Sequence, residues 1–377
     1  MCGDFGYFKS VNMKKQIYSV LLLMIPVFSF AQQIITYPVN ELDSQIHETS
    51  GLINIDGRFI THNDSGNQPA LYEIDTLSGD VIRTVIVDNA SNVDWEDICF
   101  DDNYIFIADI GNNSGSRTNL KVYRVLLDDY FNTINDTVSS SIIRLAYADQ
   151  TDFSPSSYST NFDAEALISL DDSLYIFTKN WGDNHTNIYS LSKEPGDYEI
   201  HKVDSLNPEG LITGAVYNKL SNEIILTGYS YYIPFVVRLF DFESDNFSEG
   251  GMEKTNIQTY GSTQVESVAV FDENTYYSTS EESASGNSML LRIEVIDNTL
   301  GFDNINDKDC IIYPNPSVGI VNINADNFVD AEIYNAFGVL QLVSSNKQID
   351  ISKLSLHFCV IKINTLDGSV FRRVIKR

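Results

Sequence analysis

One pattern recurs five times along this chain: an oxygen-bearing residue, usually a small residue, an apolar strand, a turn, and a second strand ending in Thr, Asp, Lys or Ser. It reads Ser50-Gly51-Leu52-Ile53, Glu96-Asp97-Ile98-Cys99, Glu165-Ala166-Leu167-Ile168, Thr213-Gly214-Ala215-Val216 and Glu266-Ser267-Val268-Ala269, at intervals of 46, 69, 48 and 53 residues. A period near fifty with about four short strands per unit and no helical periodicity is that of a β-propeller blade. In the first unit the strands are predicted near Gly51 to Asp56, Arg58 to Asn63, Ala70 to Asp75 and Val81 to Val87. The fifth unit supplies only Glu266 to Phe271, Thr275 to Ser280 and Met289 to Ile296. The apolar stretch Ile34 to Val39 is expected to add the missing strand, closing the ring and removing an exposed sheet edge. The fold expectation is therefore all-β, a five-bladed propeller over residues 32–298, with six blades as the main alternative. Two stacked sandwiches use the same strands but leave the recurrence of one residue class at one place in every unit unexplained.

Composition agrees. Tyr and Phe occur 21 times each, which strands consume and long helices do not. Acidic residues number 52 against 24 basic ones, a formal net charge of −28. Such a surface excludes nucleic acid and other phosphate polyanions as partners.

The N-terminus reads as an export signal. Lys14 and Lys15 precede an apolar run from Ile17 to Phe30 that ends in Ser29-Phe30-Ala31, so residues 1–31 are a signal peptide with an upstream extension. That run is too short to span a bilayer core of about 30 Å, and no other segment approaches the length, so no membrane span follows cleavage. Cys2 leaves with the leader. Cys99 reads as a buried small hydrophobe, and Cys310 and Cys359 flank a C-terminal module and can pair in an oxidising compartment.

In a propeller the first strand of each blade lines the central channel, so Ser50, Glu96, Glu165, Thr213 and Glu266 form a ring. Three converging carboxylates repel one another unless a cation or protons neutralise them. Hard oxygen ligands without His or thiolate suit Ca²⁺, which is the cofactor expected here. The alternative is a water-filled channel, or glutamates bound to nearby bases such as Lys179. The small residue after each ring member, Asp97 excepted, relieves crowding where the inner strands converge.

The ordered ring Ser, Glu, Glu, Ser/Thr, Glu, with its long interval between successive glutamates, resembles the axial calcium site of the five-bladed calcium-activated nucleotidases (apyrases). That resemblance implies a metal ligand set of Ser50, Glu96, Glu165, Thr213 and Glu266, with Thr213 in place of the usual Ser. It covers the ring and blade spacing only. The phrases Thr61-His62-Asn63-Asp64-Ser65-Gly66-Asn67, Asp94-Trp95-Glu96-Asp97-Ile98 and Asp109-Ile110-Gly111-Asn112-Asn113 resemble uncharacterised secreted bacterial propellers, from Glu48 to about Lys179.

A second layer stands about 12 to 15 residues after each ring position: His62, Asp64, Asp109, Asn112, Thr178, Lys179, Tyr229 and Glu282. Of these, His62, Asp64, Asp109 and Lys179 are the candidate catalytic or ligand-contacting groups. Turn chemistry accounts equally for Asn63-Asp64-Ser65-Gly66 and Gly111-Asn112-Asn113. The chain has no G-x-G-x-x-G, Walker-type loop, H-E-x-x-H or G-x-S-x-G. Residues 299–309 read as a solvated acidic linker.

Residues 310–377 change composition. Cys310-Ile311-Ile312-Tyr313-Pro314-Asn315-Pro316, then Gly319-Ile320-Val321-Asn322-Ile323, the turn Asn335-Ala336-Phe337-Gly338, the stretch Ile349 to Leu354 and the basic end Arg372-Arg373-Val374-Ile375-Lys376-Arg377 resemble the C-terminal sorting domain of type IX secretion cargo. Leu356-His357-Phe358-Cys359 stands where that family has Gly-x-Tyr. The resemblance implies a small β-sandwich, contact with the type IX machinery, and passage through the periplasm and outer membrane to the cell surface or medium. Two roles stay open for the propeller: a calcium-pinned binding or scaffold protein, and a calcium-dependent hydrolase of a phosphorylated or ester substrate.

Overall fold

The computed structural model describes residues 33–258, 264–284, 286–296, 310–335, 340–353, 358–365 and 368–376. The expected signal peptide and acidic linker lie outside them. The described chain is all-β apart from single helical turns and one short helix, Leu127–Asn132. Among the described residues before 297, strands form five sheets.

Each sheet begins with an innermost strand: Thr49–Ile55, Trp95–Phe100, Ala164–Leu170, Leu211–Asn218 and Ala269–Val270. Successive innermost strands touch, and the last touches the first, so the five sheets form a closed cycle. Antiparallel meanders lead outward from them. Two outer edges borrow a strand from the next stretch of chain: Thr137–Val138 pairs in parallel with Val81–Val87, and Gly196–Ile200 with Ser140–Tyr147. The predicted strands of the first unit match Thr49–Ile55, Arg58–Asn63, Ala70–Ile74 and Val81–Val87.

The fifth sheet takes its outer strand from the N-terminus. Gln33–Glu41 pairs antiparallel with Met289–Ile296, from Gln33 opposite Ile296 to Glu41 opposite Met289. Its innermost strand is shorter than expected, Ala269–Val270 instead of a run from Glu266. The ladder to Thr275–Ser280 is interrupted there: the Glu266 N–H donates to the Thr279 carbonyl at 3.0 Å, but the Thr279 N–H donates to the side chain, Ser267 Oγ, at 2.9 Å.

Every sheet is covered on both faces, which is why its strands read as continuous apolar runs instead of alternating ones. In Ile105-Phe106-Ile107-Ala108, the two isoleucines enter the core shared with the first sheet. Phe106 and Ala108 enter the core shared with the third, together with the buried Cys99. Equivalent cores join the third and fourth, fourth and fifth, and fifth and first sheets. Burying such surface at roughly 25 cal/mol per Å² is what holds the cycle together.

The C-terminal residues form two further sheets: Cys310–Tyr313, Ile320–Ala325 and Gln348–Asp350 in one, and Leu340–Ser344, Phe328–Tyr334, Phe358–Thr365 and Gly368–Ile375 in the other. They share a core that includes Ile312, Val321 and Ile323 from one and Ala331, Ile333, Ile361 and Ile363 from the other. Cys359 is a buried free thiol. No helix among the described residues is long and apolar enough to cross a membrane.

Candidate functional site: an acidic cluster at the inner strands

The first four inner strands share an irregularity at the repeated oxygen or, in the first, one residue after it. Pairing with the second strand skips one residue: between Ser50 and Leu52, Trp95 and Asp97, Ala164 and Ala166, and Ile212 and Gly214. The unpaired residues are Gly51, Glu96, Glu165 and Thr213. A β-bulge frees one residue from the ladder and re-aims its side chain, so the bulges turn Glu96, Glu165 and Thr213 out of the sheet. Gly51 has φ +66°, and a Cβ there would lie 2.9 Å from the Ile98 nitrogen, so close approach of the first two inner strands requires glycine.

The five ring residues take different tasks. Ser50 Oγ donates to the Glu96 carbonyl at 2.5 Å, and Thr213 Oγ1 donates to the Val265 carbonyl at 2.5 Å, so both hydroxyls tie neighbouring inner strands together. Glu165 is paired: Lys179 Nζ lies 2.5 Å from its Oε2, and both side chains are buried. This is the base-bound arrangement held open above. Glu266 receives Gln264 Nε2 on Oε1 at 3.4 Å. Glu96 differs, because among the described residues no group donates to its carboxylate although it is only 5% exposed.

Glu96 is also where two carboxylate groups meet. One of its oxygens lies within 4.8 Å of one oxygen each of Asp64 and Asp94, and the same holds with Asp163 and Glu165. Burial, followed by repulsion from Asp64, Glu165 and Asp94, pushes the Glu96 carboxyl well above its ordinary range. Burial raises Asp64 to about 6 and Asp94 to about 7. Burial again leads at Glu266, raised to about 7, and at Glu281, raised to about 8. The Lys179 ammonium, held between the rings of Trp181 at 5.0 Å and Tyr229 at 5.2 Å, opposes these shifts at Glu266 and Glu281.

The second layer divides in the same way. Asp64 belongs to the cluster, whereas Asp109 is buried against Arg117 at 2.7 Å and Lys121 at 3.1 Å and accepts the Asp94 N–H at 3.2 Å. Asn112 orients Asp163, donating its N–H to Oδ1 at 2.6 Å, while Trp181 Nε1 donates to Oδ2 at 2.7 Å. His62 stands edge-on against Trp95 with ring centroids 5.6 Å apart and its Nδ1 3.1 Å from the Asn63 carbonyl, and burial lowers it to about 4. Thr178 Oγ1 is bound to Asn180 at 2.6 Å. Glu282 is replaced at the cluster by its neighbour Glu281, which interacts with Glu266 and Asp64.

Asp94 and Asp163 escaped the sequence reading, although a signal existed. Two residues before four of the five ring positions stand Glu48, Asp94, Asp163 and Gln264, so a second side-chain oxygen recurs at a fixed offset from the first. Asp97, the one large residue after a ring member, has a different use. Its buried carboxylate accepts the Leu167 N–H at 2.8 Å, the Ala215 N–H at 3.3 Å and the Ile98 N–H at 2.8 Å, joining three inner strands at the centre of the cycle.

Gly111 leaves room for the cluster. A Cβ at this position would fall 2.0 Å from Glu96 Oε1 and 2.5 Å from Asp94 Oδ2. A carboxylate without donors stands beside a second one, with a glycine beneath both, and these are the residues that could hold a hard cation. Calcium takes carboxylate oxygens at about 2.3–2.6 Å, and oxygens gathered within 4.8 Å of one another suit such a shell.

The family profile described as the secretion system C-terminal sorting domain matches residues 311–377. No curated protein matches the chain. Among solved structures, the chain is similar to Zg3597, a family 117 glycoside hydrolase of the marine bacterium Zobellia galactanivorans, at 8% identity over 70% of this chain and 90% of that one, with a TM-score of 0.43. An exo-β-1,3-galactanase of Phanerochaete chrysosporium shares 10% identity over 92% and 94% of the two chains, with a TM-score of 0.42. The WD40 domain of Toxoplasma gondii coronin shares 10% identity over 92% and 86%, with a TM-score of 0.31. The sorting domain marks the chain as type IX cargo, exported across the outer membrane to the cell surface or the medium.

Proposed function

We propose that the exported part of this chain is a five-bladed propeller, closed by its own N-terminal strand, that binds Ca²⁺ at its acidic cluster and serves as an extracellular binding protein. The C-terminal residues form a β-sandwich that engages the type IX machinery, and residues 1–31 are the signal peptide that starts export. The observation that carries the calcium reading is Glu96, a buried carboxylate without a donor, shared by two groups of acids. Glu96, Asp64 and Asp94 are the direct ligands; Ser50, Glu165, Thr213 and Glu266 surround them as the remainder of the ring. Bound to the folded state alone, the ion stabilises by mass action, about 2.7 kcal/mol at a hundredfold excess over its dissociation constant. Thermal unfolding in calcium and in chelator tests this: the melting temperature should fall markedly in chelator, and equal melting in both would remove the ion from the account.

A binding role is favoured over catalysis because three of the four candidate groups are engaged: His62 packed on Trp95, Asp109 with Arg117 and Lys121, Lys179 with Glu165. One observation supports a calcium-dependent hydrolase of a phosphorylated or ester substrate: Glu281, beside the cluster but not among the ligands, is held near 8, in the range of a general acid at neutral pH. Turnover of nucleotides, phosphomonoesters or esters in calcium, lost in Glu281→Gln while calcium binding is retained, would establish that role.

A further inference from the structure

A cleft of about 400 Å³ opens between loops of the third and fourth sheets, sharing Tyr229 with the surroundings of Lys179. Its backbone is unusual. Twelve non-glycine residues among those described have positive φ, and eight of them are Asp, Asn or Ser, which tolerate it in turns. The other four are Tyr158, Glu209, Tyr231 and Tyr232, with φ of 55°, 53°, 50° and 65°.

Three of the four stand at this cleft. Glu209 and Tyr231 line the cleft, and Tyr232 follows Tyr231. Tyr158 packs edge-on against Trp181 at 4.9 Å, and Trp181 shares Lys179 with Tyr229. Tyr231 and Tyr232 form a two-residue hairpin, because Ser230 pairs with Ile233 on the following strand. Left-handed backbone at both central positions is a type I′ turn, which Asn-Gly fills without strain. Two bulky aromatics there are costly, and burial does not repay them: Tyr231 is 94% exposed, Tyr232 77% and Tyr158 64%. Strain held at exposed aromatic residues beside a cleft points to a ligand.

The lining selects the ligand's class. Asn184, Asn207 and Glu209 present amide and carboxylate groups, while Leu211 is the one aliphatic side chain, so the cleft suits neither a lipid nor an apolar peptide side chain. Asp183 is occupied within the protein, accepting from Asn161 at 2.9 Å, Asn180 at 3.0 Å and the His185 N–H at 3.0 Å. That leaves the exposed Glu209 as the acid facing a ligand, too little charge to select a basic peptide. The chain's net charge of −28 opposes an anion. Flat aromatic faces next to amide and carboxylate groups match a ring with C–H groups on its faces and hydroxyls around its edge.

We propose that this cleft binds a neutral glycan, with pyranose faces against Tyr231 and Tyr232 and hydroxyls paired to Asn184, Asn207 and Glu209. This deepens the binding-protein reading by naming a ligand class, and its test leaves Glu96, Asp64 and Asp94 unaltered, so calcium binding reports on that reading separately. The purified full chain is titrated calorimetrically with neutral gluco-, galacto-, manno- and xylo-oligosaccharides, and with trilysine and inorganic phosphate. One neutral series should bind, more tightly with length, and trilysine and phosphate should not. Tyr231→Asn combined with Tyr232→Gly should weaken that binding at least about tenfold while raising the melting temperature, because the relaxed turn is retained and the aromatic faces are lost. Failure of all four neutral series, preference for trilysine or phosphate, or unchanged affinity in the double variant would overturn the proposal.

Discussion

The Lys179 ammonium sits 2.5 Å from the Glu165 carboxylate, with both side chains buried, so one ring position carries its own counter-ion. A buried pair is weak evidence of net stabilisation, but breaking it by removing one partner typically costs about 3–5 kcal/mol. Lys179→Met should destabilise the chelated protein by roughly that amount. It should also enlarge the melting-temperature gain on adding calcium, because a competing positive charge is gone from beside the cluster. Thermal scans of both proteins with and without calcium check this, and an unchanged calcium increment would separate Lys179 from the cation site.

Asp97 predicts a loss of stability independent of calcium. Asp97→Ala leaves the buried N–H groups of Leu167 and Ala215 without an acceptor, at about 1–3 kcal/mol each. Asp97→Asn keeps one acceptor oxygen and should lose less. Urea unfolding in chelator orders the three proteins.

The titration of the cluster has a defined sign. Burial, aided by neighbouring carboxylates, holds Asp94 and Glu266 near 7 and Glu281 near 8, against ordinary values of 3.8 and 4.5. Between those limits the folded state binds more protons than the unfolded state, so calcium-free stability falls as pH rises. His62, lowered to about 4, contributes stability that is fully present above 6.5 and so adds no slope there. Denaturant unfolding of the chelated protein from pH 6.5 to 8.5 should therefore show declining stability. Calcium should flatten the decline by keeping the carboxylates ionised in the folded state, and a flat curve in chelator would contradict the cluster's charge balance.

Closure of the cycle is tested by removing Gln33–Glu41, which exposes the edge of Met289–Ile296 along its length. The truncated protein should aggregate or melt well below the parent, since an unpaired edge invites pairing with other chains. An unchanged melting temperature on differential scanning would contradict the closing role of the strand.

The repeat made the architecture legible because covered sheets impose the same apolar runs in every unit, and the first unit's four strands are found where the spacing puts them. The exchanged N-terminal strand was legible for the same reason: one unit was short of a strand. The site was only partly legible. Glu96 and Glu165 stand out by repetition, but the bulges that re-aim them depend on hydrogen-bond register, which a list of residue types does not carry. The hydroxyls of Ser50 and Thr213 also tie strands together by donating to the carbonyls of Glu96 and Val265, a second task that residue type alone does not show. Asp109 and His62 sit in phrases suggestive of chemistry, yet Arg117, Lys121 and Trp95 claim them, contacts set by tertiary packing.

Glu96 bears the central claim, and calorimetric titration of chelated protein with Ca²⁺ tests it most directly. Glu96→Gln removes one charge and one ligand while preserving shape. The wild type should bind one calcium ion with measurable heat and rise in melting temperature, and Glu96→Gln should show neither at the same concentrations. No heat and no thermal shift in the wild type, or equal binding by Glu96→Gln, would contradict the assignment of the acidic cluster as a calcium site.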